Sequence, residues 1–140
     1  QAINRNSNLI YMDWNITCSG LCTETALLEN AVRSIEATVN GAALYAPRVS
    51  RARMNAGQTP LEPEFMIEVS DATLNAGLKR KEAGEILHKI AAKLKGREPE
   101  TGKTIHECYD LIHHKPSSEY HAIYQNVKND LTQLGLDFYI

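Results

Sequence analysis

Residues 17–24, Thr17-Cys18-Ser19-Gly20-Leu21-Cys22-Thr23-Glu24, join a short apolar run to a helical pattern. Upstream, residues 8–13 (NLIYMD) read as a strand, carrying Leu, Ile and Tyr between Asn and Asp. Downstream, Ala26, Leu27, Ala31, Ile35 and Val39 recur at helical spacing, which predicts a helix from Thr23 to Val39. Thr23 fits the N-cap, where its hydroxyl accepts from a first-turn N–H, and Glu24 complements the positive end of the helix dipole. Asn40-Gly41 supplies the stop. Residues 14–22 lie between as a turn rich in small residues. A strand, a turn and a helix start meeting within a few residues form the junction where α/β enzymes place their chemistry. Backbone N–H groups there point at a ligand, and side chains stand on a rigid base.

The chain beyond this junction is mainly helical in pattern. Residues 41–60 hold two Gly, two Pro and the basic cluster Arg48, Arg51 and Arg53 without clear periodicity, and read as an irregular connection. Helices are predicted at Glu62–Ala76, with Pro63 in the first turn and Gly77 as stop, and at Lys79–Lys95, ended by Gly96. Thr104 to Glu107 fits a capping box before a short helical turn. The last helix runs from Ser117 to Leu134, with Tyr120, Ile123, Tyr124, Val127 and Leu131 as its stripe and Gly135 as its stop. The apolar tail Leu136 to Ile140 is expected to pack as an arm on another surface. The inventory is one strand and four or five helices. A lone strand has no partner for its backbone groups. Two readings follow: an all-helical domain without a true strand, or a piece of a larger α/β protein.

The bulk composition narrows the class. The 140 residues are 43% hydrophobic and 23% charged, with a formal net charge of −2. Such a chain can bury roughly 70% of its unfolded surface around one core. The near-neutral charge gives no footprint for nucleic acid or an anionic membrane. No apolar run reaches the roughly 20 residues of a membrane helix, and residues 1–8 lack the apolar core of a leader. Three cysteines are an odd count, which favours reduced thiols and a cytoplasmic setting.

Several residues invite a chemical reading, and each has a structural one beside it. Cys18 and Cys22, with three residues between them and no third ligand nearby, make a poor zinc pattern and read as buried thiols. His106, Cys108, His113 and His114 fall within nine positions, where surface histidines and a capping turn outweigh a metal site. Gly102-Lys103-Thr104 lacks the glycine spacing and leading strand of a phosphate loop. Glu107, Tyr109 and Asp110 have acid/base side chains but read better as a cap and a docked aromatic. Trp14, at the end of the strand, is the best single candidate to line a site, against core packing as the alternative.

These same residues carry a family resemblance. Cys18-x-Gly20-x-Cys22-Thr23-Glu24, Leu27-Leu28-Glu29 and Ser34-Ile35 resemble the last strand-to-helix junction of the monomethylamine methyltransferase family. Glu68-Val69 and Ala76-Gly77 resemble its next helix. Gly102-Lys103-Thr104-x-x-Glu107-Cys108-Tyr109-Asp110 is the closest block, and Pro116, Glu119-Tyr120, Tyr124 and Leu134-Gly135-Leu136 resemble its terminal helix. The similarity covers roughly residues 16–137 in order.

The resemblance implies the C-terminal portion of a TIM-barrel α/β fold, mostly α as an isolated chain. Residues 8–40 are then the last barrel strand and helix, 41–60 the irregular connection and 61–140 a helical C-terminal extension, in one segment of 1–140. It implies a reaction in which a methyl group passes from monomethylamine, or a related substrate, to the Co(I) corrinoid of a partner protein. The family's pyrrolysine and acidic site residues would lie upstream, so the segment itself carries no catalytic residue and binds no cofactor or metal. The expected partners are a cognate corrinoid protein, a methylamine-type small molecule and further copies of the chain, with no nucleic acid and no membrane. Where the family carries a substrate-facing glutamine and tyrosine, this chain has Trp14 and Ile16. Either the local alignment slips and Asn15 takes a polar role, or this member handles a different substrate or none. The expected site-lining residues are therefore Trp14, Asn15 and Cys18. The alternative is a catalytically inactive helical interaction or oligomerisation module, pairing through strand 8–13 and the apolar tail.

Overall fold

The computed structural model describes residue 3, residues 6–49 and residues 58–138. Strand β1 (Met12–Thr17) pairs in parallel with strand β2 (Ala43–Val49), and helix α1 (Glu24–Asn40) connects them. Parallel neighbours need such a crossover, because a tight turn can only reverse the chain. Two expectations are corrected here. The strand begins at Met12 and ends at Thr17 rather than covering 8–13, and it has a partner within the chain. Residues 43–49 of the supposed irregular connection are that partner. Of the basic cluster, Arg48 lies on β2, while Arg51 and Arg53 lie outside the described residues.

The physical reason lies in which side chains face which layer. Along β1, Asn15 and Thr17 are buried and Trp14 and Ile16 are exposed. Alternate residues point to opposite faces of a strand, so the polar pair is turned towards the helical layer and the apolar pair away from it. That inverts the usual polar-out pattern. Gly41 just ahead of β2 and Pro47 within it mask the strand. The register runs Trp14 with Tyr45 and then Ile16 with Arg48, so two steps on β1 oppose three on β2. The extra residue takes up the place where Pro47 has no N–H to give to the ladder.

Helices α2 (Leu61–Asn75) and α3 (Arg80–Leu94) follow, then the single turn α4 (Ile105–Cys108), a two-residue hairpin β3 (Tyr109–Asp110) and β4 (Lys115–Pro116), and helix α5 (Ser118–Gln133). The expected helices stand within a residue or two of these limits. Thr23 caps α1 by accepting from the Ala26 N–H at 3.2 Å, and Gly41 takes a left-handed φ of 69° at its end. Ser117 caps α5 in the same way through the Tyr120 N–H. At Thr104, the Glu107 carboxylate accepts from both the backbone N–H (2.8 Å) and the hydroxyl (2.7 Å).

The core gathers Leu27, Leu28, Ala31 and Ile35 of α1 against Phe65 and Val69 of α2, Ile86 and Ile90 of α3, and Tyr120, Val127 and Leu131 of α5. Each fully buried aliphatic or Phe side chain stabilises the fold by roughly 1.5–3 kcal/mol. Beneath them, the Glu62 carboxylate accepts from the Thr59 N–H at 2.8 Å, the Thr59 hydroxyl at 2.7 Å and the Tyr120 hydroxyl. Burial nevertheless holds the Glu62 carboxyl above its ordinary value, and those hydrogen bonds oppose the shift. The C-terminal tail is not a free arm. Leu136 is buried in the chain's own core, Phe138 packs against it, and the Asp137 N–H reaches the Ala72 carbonyl. Residues 139 and 140 lie outside the described set.

Candidate functional site

The loop from Cys18 to Thr23 is held from three directions. Glu29, one turn into α1, reaches back so that its carboxylate accepts from the Cys18 N–H at 2.5 Å and the Ser19 N–H at 3.2 Å. Thr17 Oγ1 donates to the Ser19 carbonyl, and Thr23 Oγ1 donates to the Gly20 carbonyl at 2.8 Å. The third hold comes from the segment before α4. The Gly20 N–H donates to the Glu100 carbonyl at 2.8 Å, the Lys103 N–H to the Leu21 carbonyl at 3.0 Å, and Thr25 Oγ1 to the Glu100 carboxylate.

Two glycines make this contact possible. A Cβ on Gly20 would lie 1.9 Å from the Thr101 carbonyl oxygen, and one on Gly102 would lie 2.4 Å from the Leu21 carbonyl oxygen. The loops therefore meet backbone to backbone. Gly102-Lys103-Thr104 is a structural clamp and no phosphate loop. Lys103 is spent on the surface, where the Glu119 carboxylate holds its ammonium above the ordinary value.

The cysteines divide. Cys18 is exposed, contrary to the buried reading, while Cys22 and Cys108 are buried. Burial raises the Cys22 thiol and pushes Cys108 up to about 12, with the neighbouring Cys22 adding to the rise at Cys108. Neither is a ready nucleophile, since the thiolate is the reactive form. Cys22 also holds a left-handed φ of 60°, a strained conformation that the loop's fixed contacts sustain. Among the described residues no group of His, Cys, Asp and Glu is placed to hold a metal. Asp110 instead closes the hairpin, accepting from the Ile112 and His113 N–H groups and meeting His113 Nδ1 at 2.7 Å.

Trp14, Asn15 and Cys18 are not brought together on one surface. Trp14 stands on the sheet face opposite α1, 49% exposed, its ring edge-on to Tyr45 at 6.1 Å. Asn15 lies on the helix side, 1% exposed, and its amide donates to Asn30 Oδ1 at 2.6 Å. Asn30 in turn donates to the Glu62 carbonyl. Asn15 thus ties β1 to α1, and its Oδ1 has no protein donor among the described residues. Cys18 opens to solvent at the strand's C-terminal end. Tyr45 and Arg48, which share the face of Trp14, were missed because β2 was not recognised; their only signal was the strand-prone Leu44-Tyr45 pair ahead of Pro47. A cavity of about 280 Å³ elsewhere in the fold is lined by Glu68, Asp71, Asn75, Lys128 and Phe138. Its Lys128 pairs with Glu68 at 3.2 Å and lies over the Tyr124 and Phe138 rings, which marks it as packing.

A strand–helix–strand unit with one covered face and one bare face defines a segment of a parallel α/β protein, whose sheets are covered on both sides. The family model for monomethylamine methyltransferase MtmB matches residues 1–136. Monomethylamine methyltransferase MtmB1 of Methanosarcina acetivorans is 36% identical over 125 residues, covering 86% of this chain and 27% of that protein. MtmB2 of Methanosarcina barkeri (strain Fusaro) is 35% identical over 124 residues with the same coverage. The crystal structure of the Methanosarcina barkeri monomethylamine methyltransferase superposes with a TM-score of 0.80 at 31% identity, covering 97% of this chain and 30% of that one. The hydroxylamine complex of MtmB agrees equally well. The chain belongs to the monomethylamine methyltransferase family. It spans about a quarter of the length of the curated relatives it matches. Its fold is that of the C-terminal part of their TIM-barrel α/β architecture, mostly helical in itself. No helix among the described residues is long and apolar enough to cross a membrane.

Proposed function

We propose that this chain serves a methylamine:corrinoid protein methyltransferase, in which a methyl group leaves monomethylamine or a related amine for the Co(I) corrinoid of a partner protein. The observation that carries the reading is the match over residues 1–136 combined with the bare β1–β2 face. In this reading β1 and β2 are neighbouring staves of the barrel, and Trp14, Ile16, Tyr45 and Arg48 face its interior. The clamped loop at Cys18–Thr23 lies at the C-terminal end of β1, the end where such barrels hold substrate. The contribution of this chain is shape and lining. It binds no corrinoid itself, and acid/base work falls to residues elsewhere in the barrel.

The test is a chimera. Residues 1–136 replace the matching segment of the Methanosarcina barkeri enzyme, and methylation of the reduced corrinoid partner is followed by absorbance. Methyl transfer from monomethylamine or another methylated amine is expected. A chimera that folds yet methylates the corrinoid from no methylated amine would overturn the reading. The alternative, an inactive module, draws on the same bare face, since Met12, Trp14, Ile16 and Tyr45 present an apolar surface that a second copy could cover. Light scattering of the 140-residue chain decides it: a stable symmetric dimer supports the module, and a monomer removes it.

A further inference from the structure

On the bare face of the β1–β2 sheet, Arg48 has no counter-charge among the described residues. The register sets Trp14 beside Tyr45 and Ile16 beside Arg48. Arg48 is exposed, and its Cζ lies 5.8 Å from the centre of the Trp14 ring. A cation over an aromatic face is held in place without consuming its N–H donors. The ion pairs found among the described residues all lie elsewhere, and none includes Arg48. Asp13, close by in sequence, alternates to the other side of the sheet, where it lines a cavity with Arg33 and Glu36 of α1.

This combination selects its ligand by charge. A guanidinium with unused N–H donors pairs with a carboxylate, often through two parallel bonds, and repels a bare ammonium group. The neighbouring aromatic rings and Ile16 offer the contacts that N-methyl groups favour. We infer that Trp14, Tyr45 and Arg48 form a subsite for a small N-methylated amine that also bears a carboxylate, with Arg48 taking the carboxylate. The inference rests on the methyl-transfer reading above and names the substrate class of that same site.

Trp14 is the sole tryptophan of the chain, so intrinsic tryptophan fluorescence reports on this site alone. The 140-residue chain is titrated separately with N-methylglycine, acetate, methylammonium and inorganic phosphate at constant ionic strength. N-methylglycine is expected to give a saturable change, acetate a weaker one and methylammonium none. Arg48→Ala is expected to abolish the N-methylglycine response and Arg48→Lys to weaken it, with far-UV circular dichroism unchanged in both. An equal or larger response to methylammonium, a response that survives Arg48→Ala, or no saturable response to any probe overturns the inference. A response to phosphate exceeding that to N-methylglycine overturns the carboxylate assignment. These results leave the chimera assay untouched, so failure of the subsite and failure of the methyl-transfer reading are told apart.

Discussion

Placing a methyl group on Gly20 or Gly102 should open the clamp between the β1–α1 loop and the segment before α4. At Gly20 the new Cβ would stand 1.9 Å from the Thr101 carbonyl oxygen. That is about 1.4 Å short of the roughly 3.3 Å at which carbon and carbonyl oxygen normally meet. The obstacle is backbone on both sides, so no side chain can swing away. Overpacking of this kind costs about 1–3 kcal/mol. Moving the loops apart also loses the Gly20 N–H to Glu100 and Lys103 N–H to Leu21 bonds, each worth about 1 kcal/mol net. Gly20→Ala should therefore destabilise by about 3–5 kcal/mol. Gly102→Ala adds a left-handed φ of 71°, a further cost of about 1–2 kcal/mol. With a urea slope of about 1–3 kcal/mol per molar, both midpoints should fall by a molar unit or more. Gly84 is the internal control. It lies inside α3 with nothing within 4 Å of its would-be Cβ, so Gly84→Ala should gain about 0.5–1 kcal/mol. Equilibrium urea unfolding followed by circular dichroism measures all three. Clamp variants within about 0.5 kcal/mol of the parent, the scatter expected of a neutral surface change, would refute the backbone-contact reasoning.

Other outcomes follow from burial and capping. A thiol reagent should label Cys18 rapidly in the native chain and reach Cys22 and Cys108 only in denaturant; fast labelling of all three would contradict their burial. Because the Glu62 carboxyl is held above its ordinary 4.5 in the folded state, its contribution is full below the unfolded value and is lost as pH rises through the folded one. Stability measured against pH should lose that component in Glu62→Gln, and parallel curves for parent and variant would show the shift to be absent. Thr23→Ala removes the cap on the Ala26 N–H and should cost about 1 kcal/mol, read as a lowered urea midpoint; an unchanged midpoint would show the cap to be dispensable.

The helices were legible because their apolar residues repeat at the helical period and Thr23, Ser117, Gly41 and Gly135 mark their ends. The sheet was not, for reasons particular to its residues. Asn15 and Thr17 are polar yet buried, satisfied in part by bonds such as that to Asn30 which no local pattern reveals. Trp14 and Ile16 are apolar yet turned to the bare face. Pro47 breaks the signature of β2 but is tolerated at a register shift. Gly102-Lys103-Thr104 stood out as a block, but its partner, Gly20, is far away in sequence, so its structural purpose could not be seen along the chain. The family itself was legible from the spread of matching residues, and the comparisons bear it out.

The clamp also orders events in time. Ser19 and Glu100 meet across 81 positions of sequence, and closing so long a loop is rewarded only after the intervening helices have condensed. Packing among α1, α2 and α3 can form the nucleus, while the β1–α1 loop settles afterwards. Gly20→Ala should then speed unfolding and leave the folding rate nearly unchanged in stopped-flow chevrons. The clamped loop is, on this view, the last part of the chain to arrive and the first to let go.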